Sequence, residues 1–138
     1  MAGKSNYLEL EVLKWAAGLA NALGSTTTSV YVGLFTTNPT SDTDAGTEVS
    51  GNSYARVNTA GDWDAPSGVD PATTSNDAVV QFATATPAGW GDITGFGIFD
   101  AATTGNRLYW NALTTNPTNV DTNETARFPI GDLTITEG

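Results

Sequence analysis

The sequence predicts a mainly β fold, an antiparallel β-sandwich of jelly-roll-like type carrying one N-terminal α-helix. Three observations lead there. Short apolar runs recur along the chain, separated by stretches rich in Thr, Gly, Asn and Asp, residues that favour strands and turns. Only the first segment has helical spacing. No strand–helix–strand alternation follows it, which argues against a parallel α/β sheet. At 138 residues the chain is expected to form one domain, with 1–24 as an arm and helix and 25–138 as the sandwich.

The helix is read from Asn6 to Gly24. Asn6-Tyr7-Leu8-Glu9 has the form of a capping box, in which the Asn6 side chain and Glu9 cover free backbone N–H groups. Leu8, Val12, Trp15, Leu19 and Leu23 follow as one apolar stripe, several alanines support helix, and Gly24 ends it. Such a helix either covers an open edge of the fold or presents Tyr7 and Trp15 to a partner.

After Gly24 the period changes. Val30 to Phe35 reads as a strand, 36–53 as a long surface loop, and Tyr54 to Val57 as a short strand. Residues 61–75 read as a second loop, with Pro66 and Pro71 breaking any ladder. Ala78 to Phe82 is a strand, Pro87 to Gly91 a turn around Trp90, and Ile93 to Asp100 an alternating strand. Gly95 and Gly97 share one face of that strand, which predicts that another backbone or a large ring packs on them. Thr104-Gly105-Asn106 is a hairpin signal leading into Arg107 to Leu113, and Thr125 to Phe128 and Leu133 to Thr136 complete the set. The pentapeptide Thr36 to Thr40 recurs as Thr114 to Thr118, read as two similar strand exits.

Composition excludes much chemistry. There is no Cys and no His, which removes thiolate metal sites, disulfides and any Ser-His-Asp or Cys-His machinery. Five cations stand against 15 acids, for a formal net charge of −10. That balance repels nucleic acid and anionic membranes and suits a basic protein partner. Charged residues make up only 14% of the chain, against about 25% in an average protein. No apolar run approaches the length of a membrane span, and the first seven residues lack the apolar core of a signal peptide, so synthesis in a cytoplasm is expected.

The remaining candidates are carboxylates and indoles. Asp42-Thr-Asp44-Ala-Gly46 resembles a calcium loop but lacks a third ligand position, so a solvated loop is expected. Asp62 and Asp64 flank Trp63, yet one short polar loop is a poor frame for paired acid catalysis. Trp63 and Trp90 are expected in the core rather than as sugar platforms. Arg56, Arg107 and Arg127 are expected to pair with carboxylates near the sheet. The reading is a structural or binding protein, not an enzyme, with no cofactor and no metal.

Several strings carry a resemblance. They are Met1-Ala-Gly-Lys-Ser-Asn-Tyr-Leu-Glu9; Val30 to Thr36; Gly46 to Gly51 with Tyr54-Ala-Arg56; Trp90-Gly91 leading to Ile93 through Ala101; Gly105-Asn106, Leu108-Tyr109 and Ala112 to Thr115; and Phe128 with Gly131 through Glu137. Their order and spacing are similar to a family of short virion proteins of tailed bacteriophages, usually labelled phage tail fiber protein. The resemblance runs nearly end to end, apart from residues 58–77. It implies a virion structural protein made in the host cytoplasm. From the small single domain, the expected role is a capsid decoration or cement protein on the capsid exterior. It would bind the major capsid protein in many copies or as a homo-oligomer. The alternative is a tail-associated or fibre protein that contacts the host. Lys4, Tyr7 and Trp15 of the arm and helix, and Asn38, Asp42, Asp44 and Glu48 of the Asn38–Asn52 loop, are the expected partner-binding residues. An ordering loop and many weak contacts suit such a role.

Overall fold

The computed structural model describes residues 3–17, 29–68, 71–113 and 119–137. Its elements are β1 (Gly3–Lys4), α1 (Asn6–Ala16), β2 (Tyr31–Thr37), β3 (Thr47–Glu48), β4 (Val57–Asn58), β5 (Ala72–Ser75) and β6 (Val80–Thr84). There follow β7 (Gly91–Asp92), β8 (Gly95–Phe99), β9 (Arg107–Ala112), β10 (Asn119–Val120), β11 (Thr125–Phe128) and β12 (Thr134–Glu137). All strand pairs are antiparallel. The main sheet runs β1-β9-β8-β2-β3, with β4 also pairing β2. Opposite it lie three two-stranded ribbons, β6 with β11, β5 with β12 and β7 with β10. The predicted sandwich with one N-terminal helix is therefore present, its second layer built from ribbons.

The sheet centre follows from sequence. Every residue of β8 is buried, because β8 has strands on both sides and packing on both faces. Val32, Leu34, Phe96 and Ile98 point into the main core, where they meet Val80, Phe82, Ala126, Phe128 and Leu133 from the second layer. The ribbon strands β6 and β11 alternate buried and exposed, as half-buried strands must. Tyr54 stacks on Phe82 at 6.0 Å, and the Trp90 ring meets Tyr54 edge-on at 5.3 Å.

The other face of the sheet carries a second, aromatic cluster of Phe35, Phe99 and Trp110 with Tyr31 against it. Here the expectation of a large ring is met at Gly97, while Gly95 makes room for a polar side chain. A Cβ on Gly97 would stand 2.8 Å from Phe99 Cε2 and 2.9 Å from Phe35 Cε2. A Cβ on Gly95 would collide with the Asn38 side chain. The Phe35 and Phe99 rings, tilted 48° to each other, pack over Gly97 because it leaves them room.

Three expectations change. First, α1 is capped by Ser5, not by Asn6 and Glu9: the Leu8 N–H donates to Ser5 Oγ at 3.3 Å, and the Ser5 N–H itself donates to Leu108 O at 3.0 Å. That anchor turns Leu8 and Glu11 inward, while Leu10 is 53% and Val12 40% exposed, so the apolar stripe does not continue as read. Residues 18–24 of the expected helix and the second pentapeptide, 114–118, lie outside the described residues. Second, the 36–53 loop contains β3 and buries Val49. Third, the 61–75 loop contains β5, bridged through Trp63↔Asn76 and Ser67↔Thr73. Pro66 lies between the two bridges and Pro71 between Ser67 and Thr73, and neither prevents the pairing.

One buried polar residue holds that end of the sandwich. Asn76 is fully buried. Its Oδ1 accepts from the Leu133 N–H at 2.9 Å, and its Nδ2 donates to Ala78 O at 2.8 Å and Pro129 O at 2.9 Å. Its backbone N–H donates to Leu133 O, and its carbonyl accepts from the Gly131 N–H. Two chain segments, 76–78 and 129–133, are thus tied together through one residue.

Candidate functional site

The structure brings Tyr7, Asp42 and Asp44 together. They line one cleft of about 330 Å³ with Ser5, Phe99 and Arg107, between the start of α1 and the loop after β2. The loop is built by Asp44. Its Oδ2 accepts from the Thr40 N–H and Thr40 Oγ1, both at 2.8 Å, and its Oδ1 accepts from the Gly46 N–H at 3.0 Å. A short Asp side chain closing its own turn in this way is ordinary turn chemistry. The Gly46 amide first, then the Thr40 hydroxyl and amide, hold the Asp44 carboxyl below its usual 3.8.

Arg107 pins the loop from the start of β9. Its Nη1 donates to Asp44 O at 2.7 Å, and its Nη2 to Ser41 O at 3.2 Å and Asp42 O at 3.3 Å. The expected carboxylate pairing is replaced by carbonyls, because Asp44 spends its oxygens on its own turn. Arg107 Nε is buried without a partner. Burial lowers the pKa of the guanidinium, and the nearby Asp44 and Asp42 charges oppose that shift. Arg107, Phe99 and Asn106 were missed as cleft residues from sequence. The signal was the Gly105-Asn106 turn, which fixes where the Arg107 side chain leaves the strand: the Asn106 N–H donates to Asp100 Oδ1 at 2.6 Å.

Glu48 sits apart from that cleft. Its Oε1 accepts from Tyr54 OH at 2.8 Å and Arg56 Nε at 2.7 Å, and its Oε2 takes Arg56 Nη2 at 2.7 Å. The Arg56 guanidinium lies 3.5 Å above the centre of the Phe99 ring and also donates to Ala101 O and Thr104 O. The Tyr54 phenol is pushed up, first by burial and then by the Glu48 charge. Every polar group in this cluster is used to bind two loops to the sheet. A second hollow of about 310 Å³ opens beside it, against Thr103 and Thr104.

The remaining expected residues are also tied down. Lys4 is ion-paired to Glu137, whose other oxygen accepts from Tyr109 OH at 2.8 Å. Asn38 exchanges two bonds with Thr94, donating through Nδ2 to Thr94 O and accepting at Oδ1 from Thr94 Oγ1, both at 3.0 Å. The Trp15 side chain lies outside the described residues. The two other tryptophans singled out from sequence are turned inward, Trp63 Nε1 donating to Thr59 Oγ1 at 3.2 Å and Trp90 Nε1 to Asn52 O at 3.0 Å.

Chemically, the arrangement is suited to holding shape and making contacts. The Asp44 carboxylate accepts from two backbone amides and a hydroxyl, and the Arg107 guanidinium donates to backbone carbonyls. Among the described residues no group of acids is placed to share a metal ion.

A protein-family model described as Podophage GP4 fiber I protein gp80 matches residues 3–136. The chain belongs to that family. The match spans β1 to the third residue of β12, so it covers both layers and the cleft. The chain is therefore a phage structural protein of the virion, as the strings around β2, β8 and β9 implied. No curated protein matches the sequence.

Proposed function

We propose that this chain is a compact structural module of the phage fibre apparatus, attached to the particle through protein–protein contacts. The observation that carries the reading is the family match across 3–136, to a family described as fibre protein. The geometry fits a block rather than a shaft. The described residues fold back on themselves, Lys4 of the first strand pairs with Glu137 of the last, and loops are locked down by Asp44, Arg56 and Arg107. The chain has no His and no Cys to offer as a general base or thiolate nucleophile, which suits a role without catalysis.

The second reading is the capsid decoration protein favoured by size and acidity. A closed, rigid block with a net charge of −10 suits the outside of a shell as well as the base of a fibre. Quantitative mass spectrometry of purified virions, against the major capsid protein, separates the two. A few to a few tens of copies, with antibody against the chain blocking adsorption, is the fibre result. Hundreds of copies, with heads bursting earlier when the gene is deleted, is the decoration result and overturns the fibre reading. Absence from the particle overturns both.

A further inference from the structure

We propose that the end of the sandwich around the 129–132 turn is a docking face for a basic protein surface of the virion that offers an apolar socket. The proposal rests on the chain being a virion component. Its juxtaposition is an exposed apolar knob, Ile130 with Val79 on the adjoining segment, next to the segments that carry Asp62, Asp64 and Asp77.

Ile130 is 64% exposed, more than any other large apolar side chain among the described residues. It occupies the tip of a tight turn, closed by the Asp132 N–H donating to Pro129 O at 3.1 Å. Gly131 follows with φ +82°, a conformation that favours glycine. A turn tip needs no isoleucine, and a polar residue there would be favoured by water. Yet this tip is fixed from both sides by Asn76, through Pro129 O and the Gly131 N–H. A rigid apolar group already held in place loses little freedom on binding, and that is the form an interface anchor takes.

The neighbours are placed by the same bonds. Phe128 pairs with Val80, so Val79, 40% exposed, lies across from the start of the turn. The Asp77 N–H donates to Asp62 O at 3.0 Å, and the Asp64 N–H to Ser75 O at 2.9 Å, which brings both aspartates of the 62–64 segment beside Asn76. Among the described cations, Lys4 is engaged at Glu137, Arg56 at Glu48 and Arg107 in the 41–44 loop. The closest cation along the chain is Arg127, opposite Gln81 on the exposed side of its ribbon. A second copy seated on the same face would set these aspartates against one another. A basic partner satisfies them, and its field would speed the encounter.

The test uses particles assembled without the chain and purified full-length protein added back. Ile130→Asp is expected to bind at least about tenfold more weakly than wild type, with an unchanged melting midpoint. Asp62→Asn/Asp77→Asn is expected to slow association and to flatten the loss of binding with added salt. Leu10→Asp, on an exposed face of α1, is expected to bind as wild type. If Ile130→Asp melts early, Ile130→Ser removes the apolar contact without adding a charge. Wild-type occupancy by the Ile130 variants overturns the docking face. So does salt-independent wild-type binding, or an Ile130-dependent dimer in solution, which would make a second copy the occupant. Failure of wild type itself to enter particles, in the add-back and in infection, overturns the virion function and the face with it.

Discussion

Replacing Asn76 by alanine gives the most direct measure of how this sandwich is closed. Asn76 is fully buried, and its side chain makes three hydrogen bonds, to Leu133 N, Ala78 O and Pro129 O. Alanine leaves the Leu133 N–H and the Ala78 carbonyl without that partner. Pro129 O keeps the Asp132 N–H. Each orphaned buried group costs about 1–3 kcal/mol. The two together therefore cost about 2–6 kcal/mol, a large share of the stability of an ordinary domain. For a chain of this size that lowers Tm by about 6–24 °C. The assay is urea unfolding followed by Trp fluorescence, since Trp63 is bridged to Asn76. Two further variants sharpen it. Asn76→Leu restores volume but not the bonds, so it should lose nearly as much as alanine. Asn76→Asp keeps an acceptor for Leu133 but sets an anion against two carbonyl oxygens, so it should lose more. A loss below about 1 kcal/mol for alanine would mean that water replaces the amide and that the buried node is not what closes this end.

Three other outcomes follow from the geometry. Gly97→Ala should cost about 1–3 kcal/mol in urea unfolding, because its Cβ would press on the Phe35 and Phe99 rings at 2.8–2.9 Å; an unchanged midpoint would show that the rings swing aside freely. Glu48→Ala should cost about 3 kcal/mol, because it strands an Arg56 side chain that is only 7% exposed. A double-mutant cycle with Arg56→Met giving a coupling below about 0.5 kcal/mol would contradict that. At high pH, burial first, aided by Glu48 and Glu137, raises the pKa of Tyr54 and Tyr109 above the ordinary 10.0. A raised folded pKa means their contribution to stability is whole below pH 10.0 and is lost as pH rises towards the folded values. Tyrosinate absorbance should therefore appear for these two residues together with unfolding; their ionisation near 10.0 in an intact fold would refute the burial argument.

The strands legible in sequence were those whose side chains face a core. β2 and β8 stand out because Val32, Leu34, Phe96 and Ile98 alternate with residues of the aromatic face, and Gly97 announced the rings above it. β3 and β5 were hidden, because Thr47–Glu48 and Ala72–Ser75 carry no apolar alternation and are held by pairing and polar side-chain bonds. The helix was legible but its orientation was not, since a serine bonded to β9 decides which side of α1 faces inward. Of the seven residues chosen for binding, Tyr7, Asp42 and Asp44 meet in one cleft. Asn38 and Glu48 turn out to be braces. A polar residue in a Thr- and Gly-rich loop looks the same in sequence whether it waits for a partner or has found one within its own chain. Ile130 escaped notice because a single apolar residue beside a Gly-Asp pair reads as turn.

The pairing of the first strand with the ninth, Gly3 opposite Trp110, and of Lys4 with Glu137 across 133 positions, also governs how the chain is made. Contacts this distant in sequence fold slowly, because a long loop must close before any bond rewards it. On a ribosome β2 emerges well before β8, its partner, so its apolar face has no cover during elongation. Crowded nascent chains in that state associate readily. The excess of acids, −10 in net charge, keeps such chains apart by repulsion until the last strand arrives. The same charge that shapes the finished surface thus protects the unfinished one.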